Sequence, residues 1–125
     1  MSGFSPAGVT LIRLMTEAPR GPRREGAFAL WLVVRLAEDL LLAPPQPDRA
    51  ARRRAAALGQ RLSSLTLPAP LRRALGAAVA ALEEPKPGVA PIVLQQLVAP
   101  ARETLGPEAA DALAKAARAA KSAGS

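Results

Sequence analysis

The chain has 125 residues, half of them hydrophobic and only 2% aromatic, with a formal net charge of +7 and with neither cysteine nor histidine. The missing cysteine excludes disulfides, and the two absences together remove the usual zinc and haem ligands and the commonest general base near neutral pH. Residues 20–73 hold the whole net charge, since eleven arginines there outnumber four acids. The length suits one domain with a core of leucine, valine, isoleucine and alanine.

Prolines divide the chain, and the apolar residues between them recur at helical spacing, which predicts six helices. Ser5 and Pro6 are a cap residue and a first-turn proline for a helix that runs to about Glu17. The proline- and arginine-rich segment 18–25 is predicted to be an exposed, mobile loop. The second helix, 26–43, is apolar on almost every side, so we expect it at the centre of the fold.

Two amphipathic helices are predicted in and just after the basic segment. Asp48 is a good N-cap for the third helix, whose apolar stripe keeps the spacing i, i+4, i+7, i+11 and i+14. That stripe consists of Ala51, Ala55, Leu58, Leu62 and Leu65. The fourth helix ends at Pro85, and its apolar face consists of Leu71, Ala74, Leu75, Ala78 and Leu82. Each helix is therefore expected to bury one side and expose the other.

The remaining elements are also helical. The fifth helix keeps its phase across Pro100, which predicts one helix kinked there, because proline lacks the N–H that bonds to the preceding turn. Gly106 closes it, and the sixth helix, 108–121, is alanine-rich and predicted to be peripheral. No segment alternates apolar and polar residues at strand length. We predict a compact antiparallel all-α bundle of about six proline-punctuated helices, one domain over residues 1–121, with a flexible tail at 122–125.

No arrangement of residues points to catalysis. The carboxylate pairs Glu38-Asp39 and Glu83-Glu84 are adjacent in sequence, so on a helix the members of each pair diverge by about 100°. No glycine-rich phosphate loop occurs, and the three lysines follow no such motif. The sequence therefore predicts a non-enzymatic protein with no catalytic residues, no cofactor, no metal and no small-molecule substrate.

The first residues and the hydropathy predict a cytoplasmic protein. Residues 1–16 have no basic start, and Arg13 interrupts their apolar stretch, unlike a signal peptide. The longest charge-free run, 87–101, is shorter than the ~20 apolar residues of a membrane-spanning helix. Attachment to a membrane surface is disfavoured, because the basic third helix has no Trp or Phe opposite its arginines.

The basic segment is the first candidate surface, since it can attract phosphate or an acidic protein. The candidate contacts are Arg20, Arg23, Arg24, Arg49, Arg52, Arg53, Arg54, Arg72 and Arg73. GC-rich coding also produces this bias, with fourteen arginines to three lysines, and the third helix spreads its arginines as a solvated surface does. Arg72 and Arg73 oppose the dipole of the fourth helix, so they either face an anionic partner or pair with Glu38 or Asp39.

The fifth helix is the second candidate surface, because it is uncharged and apolar on more than one side. Such a helix is either buried in the monomer or lies at an interface formed with a protein partner or a second copy. The candidate interface residues are Ile92, Val93, Leu94, Leu97 and Val98. The sequence thus predicts a non-catalytic helical subunit or adaptor that acts by protein association within a larger assembly. The alternative is a nucleic-acid-binding protein that contacts mainly the phosphate backbone through residues 20–73.

Overall fold

A computed structural model of the chain describes residues 6–42, 48–84 and 88–123. Its helices are α1 (Pro6–Glu17), α2 (Pro22–Leu42), α3 (Asp48–Ser63), α4 (Ala69–Leu82), α5 (Val89–Gln96), α6 (Val98–Leu105) and α7 (Pro107–Ala123). No strand occurs in those ranges, which confirms the predicted all-α bundle. Outside the description lie the predicted cap Ser5, position 43 of the second predicted helix, residues 124–125 of the predicted tail, and the side chains of Asp48 and Ala51.

The second helix is the central element of the bundle, as predicted. It contacts each of the other helices. Its buried side chains are small or branched and occupy one half of the helix circumference: Ala27, Ala29, Leu30, Val33, Val34, Leu36 and Ala37. Small side chains let neighbouring helices approach closely, whereas the leucines and valines supply most of the buried apolar area.

Most of the segment predicted to be a loop before the second helix is helical or forms a tight turn. The helix begins at Pro22, four residues earlier than expected. Proline suits the first helical position, because its fixed φ is helical and its missing N–H has no partner there. The backbone N–H of Glu25 donates to the carbonyl of Gly21 at 3.0 Å and closes the first turn. The loop prediction is therefore wrong for residues 22–25, and Arg23 and Arg24 belong to α2.

The fifth predicted helix is two short helices, α5 and α6, which meet at Leu97. The N–H of Leu97 donates to the carbonyl of Leu94, three residues back, at 3.3 Å. Normal helical bonding resumes where the N–H of Ala101 donates to the carbonyl of Leu97 at 3.0 Å. The break precedes Pro100, because a proline removes a bond from the preceding turn and crowds that turn with its ring. The sequence prediction counted α5 and α6 as one kinked helix.

The last helix, α7, is packed more deeply than predicted. It contacts α1, α2, α5 and α6. Its buried side chains follow helical spacing: Ala109, Ala110, Leu113, Ala117 and Ala120. The prediction of a peripheral helix is wrong, because alanines allow close packing as readily as they cover a surface. The helix runs to Ala123, so the first two residues of the predicted tail are helical.

Gly106 joins α6 to α7 with a backbone conformation that other residues rarely adopt, φ 101° and ψ 179°. We expect Gly106→Ala to lower the free energy of unfolding by about 1–3 kcal/mol, because an L side chain is strained in this region. No neighbouring atom would meet the added Cβ, so the effect isolates backbone strain from crowding. Urea denaturation measures it, and an unchanged midpoint would contradict this conformation.

Candidate functional site

The arginine pairs at the starts of α2 and α4 lie at one end of the bundle. An ideal Cβ built on Gly26 of α2 would lie 3.0 Å from Cδ2 of Leu71 in α4, so the N-terminal parts of the two helices are neighbours. Arg23 and Arg24 lie in the first turn of α2, and Arg72 and Arg73 lie at the end of the first turn of α4. Each pair therefore lies where the dipole of its own helix disfavours positive charge.

One arginine of each pair donates to a carbonyl near the end of another helix. Arg23 Nη2 donates to the carbonyl of Leu105, the last residue of α6, at 2.8 Å. Arg72 Nη2 donates to the carbonyl of Leu65, just after α3, at 3.3 Å. Cations are favourable at helix C-termini, which offsets the cost at their own N-termini. The placement of Arg72 thus has a cause within the fold, although its bond is to a backbone carbonyl rather than to Glu38 or Asp39.

The other members of these pairs are exposed. Within the described part of the chain, Arg20, Arg24 and Arg73 form no hydrogen bond or ion pair. The Cα–Cβ bonds of a helix tilt towards its N-terminus, so Arg24 and Arg73 both lean towards the same end of the bundle. That end carries free positive charge.

The arginines in the first two turns of α3 do not join this end. Arg54 Nη2 lies 2.9 Å from Asp39 Oδ2, an exposed ion pair that contributes about 0–1 kcal/mol to stability. Arg49, Arg52 and Arg53 are exposed. Arg49 lies roughly 18 Å along the helix from Arg61, at 1.5 Å per residue. The basic segment of the sequence is therefore several separate surfaces in the fold.

An arrangement that the sequence reasoning missed lies between α2 and α3. The rings of Phe28 and Trp31 stack with centroids 6.1 Å apart and an interplanar angle of 28°. The guanidinium of Arg61 lies 5.4 Å from the Phe28 centroid, and that of Arg35 lies 5.5 Å from the Trp31 centroid. Cations over aromatic faces are attracted by the ring quadrupole. Arg24 lies one helical turn before Phe28 on the same stripe of α2.

We call the surface formed by Arg24, Arg35, Arg61, Phe28 and Trp31 the arginine face. One signal in the sequence could have located most of it, since the spacing of its four α2 residues is i, i+4, i+7 and i+11. The contribution from α3 depends on how the two helices pack, and no local pattern reveals it.

The candidate interface on the fifth predicted helix is divided by the fold. Val93, Leu94 and Leu97 are fully buried in the core of a single chain, and Val98 is partly buried against that core. Ile92 alone of the five is exposed, by 58%. Only this part of the predicted interface is directly open to a partner.

Ile92 lies in an open groove of about 560 Å³ between α5 and α7. Its lining residues, which define the α5–α7 groove, are Gly88, Pro91, Ile92, Gln95, Gln96, Ala117, Arg118 and Lys121. Two of these are cations and none is a carboxylate. No side chain caps the start of α5 at Gly88, so its first N–H groups add positive potential to that end of the groove. The α5–α7 groove is an apolar channel with a basic edge.

A second groove of about 430 Å³, between α1 and α7, is more acidic. Its charged lining residues are Glu38, Glu108, Asp111 and Lys115. Arg13 forms an ion pair with Glu108, and the carboxylate of Glu17 lies 3.1 Å from the same arginine. Across the described ranges, no three carboxylates are grouped so as to hold a metal ion. Nor does any helix in those ranges combine the length and the apolar character needed to cross a bilayer.

These elements define an all-α helical bundle with an open apolar groove and a separate arginine face. No protein-family model, no curated protein and no solved structure matches this chain.

Proposed function

We propose that the protein is a non-catalytic helical subunit or adaptor that binds another protein through the α5–α7 groove. The observation that carries this proposal is the exposure of Ile92, at 58%, beside the fully buried Val93 and Leu94. Among the described residues, Val9 is the one other large hydrophobic side chain that is comparably exposed, at 54%. An apolar side chain within a groove is suited to contact an apolar anchor residue of a partner.

The shape and the charge of the α5–α7 groove favour a protein segment as its occupant. Sites for small molecules bury most of the ligand surface, whereas this groove is open along α5 and α7. Arg118 lines it and no carboxylate does, and Gln95 and Gln96 can donate and accept hydrogen bonds. The partner that fits is a segment with an apolar anchor flanked by acidic residues.

We expect Ile92→Glu to weaken binding of the partner by about 30-fold or more, because the change places a charge at the centre of the contact. Val9→Glu is the matched control, since it makes the same type of change at a similarly exposed residue of α1, away from the groove. Co-purification from the native host identifies the partner, and calorimetry with the purified partner gives the two affinities.

Three results would reject the proposed function. The first is equal loss of binding in both variants, and the second is undiminished binding by Ile92→Glu. The third is a wild-type chain that remains monomeric by light scattering and retains no protein. Thermal melts of both variants establish that a loss reflects the surface rather than the fold.

A further inference from the structure

The arginine face is a second surface whose charge the fold leaves unneutralised. Among the described residues, no carboxylate lies within ion-pair distance of Arg24, Arg35 or Arg61. Asp39, which follows Arg35 by one turn on α2, is engaged by Arg54 at 2.9 Å. Among the described residues, these three positive side chains therefore have no ion-pair partner.

The rings of the arginine face also hold two of its cations in place. Arg35 lies 5.5 Å from the centroid of Trp31 and Arg61 lies 5.4 Å from that of Phe28, and the rings themselves stack. An arginine on a surface normally loses rotamer entropy when it binds a ligand. Here part of that entropy is already lost in the free protein, so the guanidinium edges are pre-organised for an acceptor.

We propose that the arginine face binds the phosphodiester backbone of a nucleic acid. Guanidinium groups match phosphate oxygens with paired hydrogen bonds, and a row of them on one face suits a chain of phosphates. The aromatic faces are covered by the guanidinium groups, so bases do not stack on them and sequence preference is low. Binding is driven by counterion release and falls steeply with salt.

An acidic protein fits this surface less well than a phosphate backbone does. The hot spots of protein interfaces are Trp, Tyr and Arg side chains in well-packed pockets that are fully desolvated in the complex. Neither of the exposed large hydrophobic residues, Val9 and Ile92, belongs to α2 or α3, and the two rings of the face are only partly exposed. A surface of free cations without an exposed apolar anchor is typical of backbone binding to nucleic acid.

The nucleic-acid surface shares no residue with the α5–α7 groove. The arginine face is built by α2 and α3, whereas the groove is lined by residues of α5, α7 and the turn before α5. One chain can therefore hold a nucleic acid and a protein partner at once, and each proposal can fail without the other.

The test is fluorescence anisotropy of the full chain with a labelled 20-base-pair DNA duplex at several salt concentrations between 50 and 200 mM. We expect Arg35→Gln/Arg61→Gln to weaken binding and to lower the slope of log K against log salt by about 2, since each lost phosphate contact removes about 0.9. The matched control is Arg52→Gln/Arg53→Gln. It also removes two positive charges, both from α3, and is expected to change the slope little. Arg52 and Arg53 are turned by about 100° or more from the line through Arg54 and Arg61.

A third variant, Trp31→Leu, keeps every charge but removes the ring under Arg35. We expect affinity to fall about two- to fivefold at constant salt, the range of an exposed cation–π contact, while the salt slope is unchanged. This separates pre-organisation from charge. Circular dichroism of the variant checks that its helices are intact, and the arginine variants test the proposal even if Trp31→Leu does not fold.

Duplex RNA and single-stranded DNA in parallel reactions show which nucleic acid carries the backbone that is bound. Three outcomes would overturn the proposal. They are no binding to any of these probes at 50 mM salt, equal loss of affinity in the two double-arginine variants, and tighter binding to vesicles of anionic lipid than to all nucleic acids. A preference for one nucleic acid, with the loss confined to Arg35→Gln/Arg61→Gln, supports it.

Discussion

Leu113→Ala is expected to lower the free energy of unfolding by about 2–5 kcal/mol, the cost of removing a fully buried leucine and leaving a cavity. Leu113 has no exposed surface, and the other buried side chains of α7 are alanines. Alanine neighbours have no side-chain freedom with which to fill the space. Since a domain of this size is stable by about 5–15 kcal/mol, the change removes a large share of the total.

Chemical denaturation of wild type and variant measures this difference. Lys115→Ala is the matched control, because it changes an exposed residue of α7 to the same alanine and should shift stability by less than about 0.5 kcal/mol. A loss below about 1 kcal/mol for Leu113→Ala would contradict the deep packing of this helix.

Gly26→Val is expected to lower the free energy of unfolding by about 1–3 kcal/mol, because it overfills the contact between α2 and α4. A single added Cβ would already lie 3.0 Å from Cδ2 of Leu71 and 3.8 Å from Cδ2 of Leu105. Leu71 is fully buried and cannot move aside into solvent. The two extra methyl groups of valine require the backbones to separate.

Gly76→Ala provides the contrast to this variant. Gly76 is exposed within α4, and nothing lies within 4 Å of its added Cβ. The substitution should raise the free energy of unfolding by about 0.5–1 kcal/mol, since alanine loses less backbone entropy than glycine. Unfolding of both variants in guanidinium chloride measures their free energies of unfolding. Stabilisation by Gly26→Val would show that α2 and α4 are not in close contact at this point.

The helices were predictable where their signals are local. The apolar face of α4 is an example, because Leu71, Leu75 and Leu82 repeat at helical spacing and all are buried. The depth of α7 was not predictable, since alanine satisfies both an exposed surface and a close helix contact. The break at Leu97 depends on how the turn before Pro100 rearranges, and periodicity does not record that.

The candidate surfaces were predictable only as residue types. The sequence locates the arginines, but the acceptors of Arg23 and Arg54 are 82 and 15 residues away along the chain. Such contacts arise from the packing of helices and leave no trace in local spacing. The same holds for Arg61, whose ring partner Phe28 belongs to another helix. The exposure of Ile92 next to the buried Val93 and Leu94 likewise depends on how α5 packs against α7.

The packing of α7 against α1 affects how the protein is made. Arg13 and Glu108, which pair across these helices, are 95 residues apart in the chain. At a synthesis rate of 5–20 residues per second, about 5 to 20 s pass between the synthesis of Arg13 and that of Glu108. During that interval the apolar side of α1 that later meets α7 is uncovered, so the core between these two helices closes only after synthesis of the last helix.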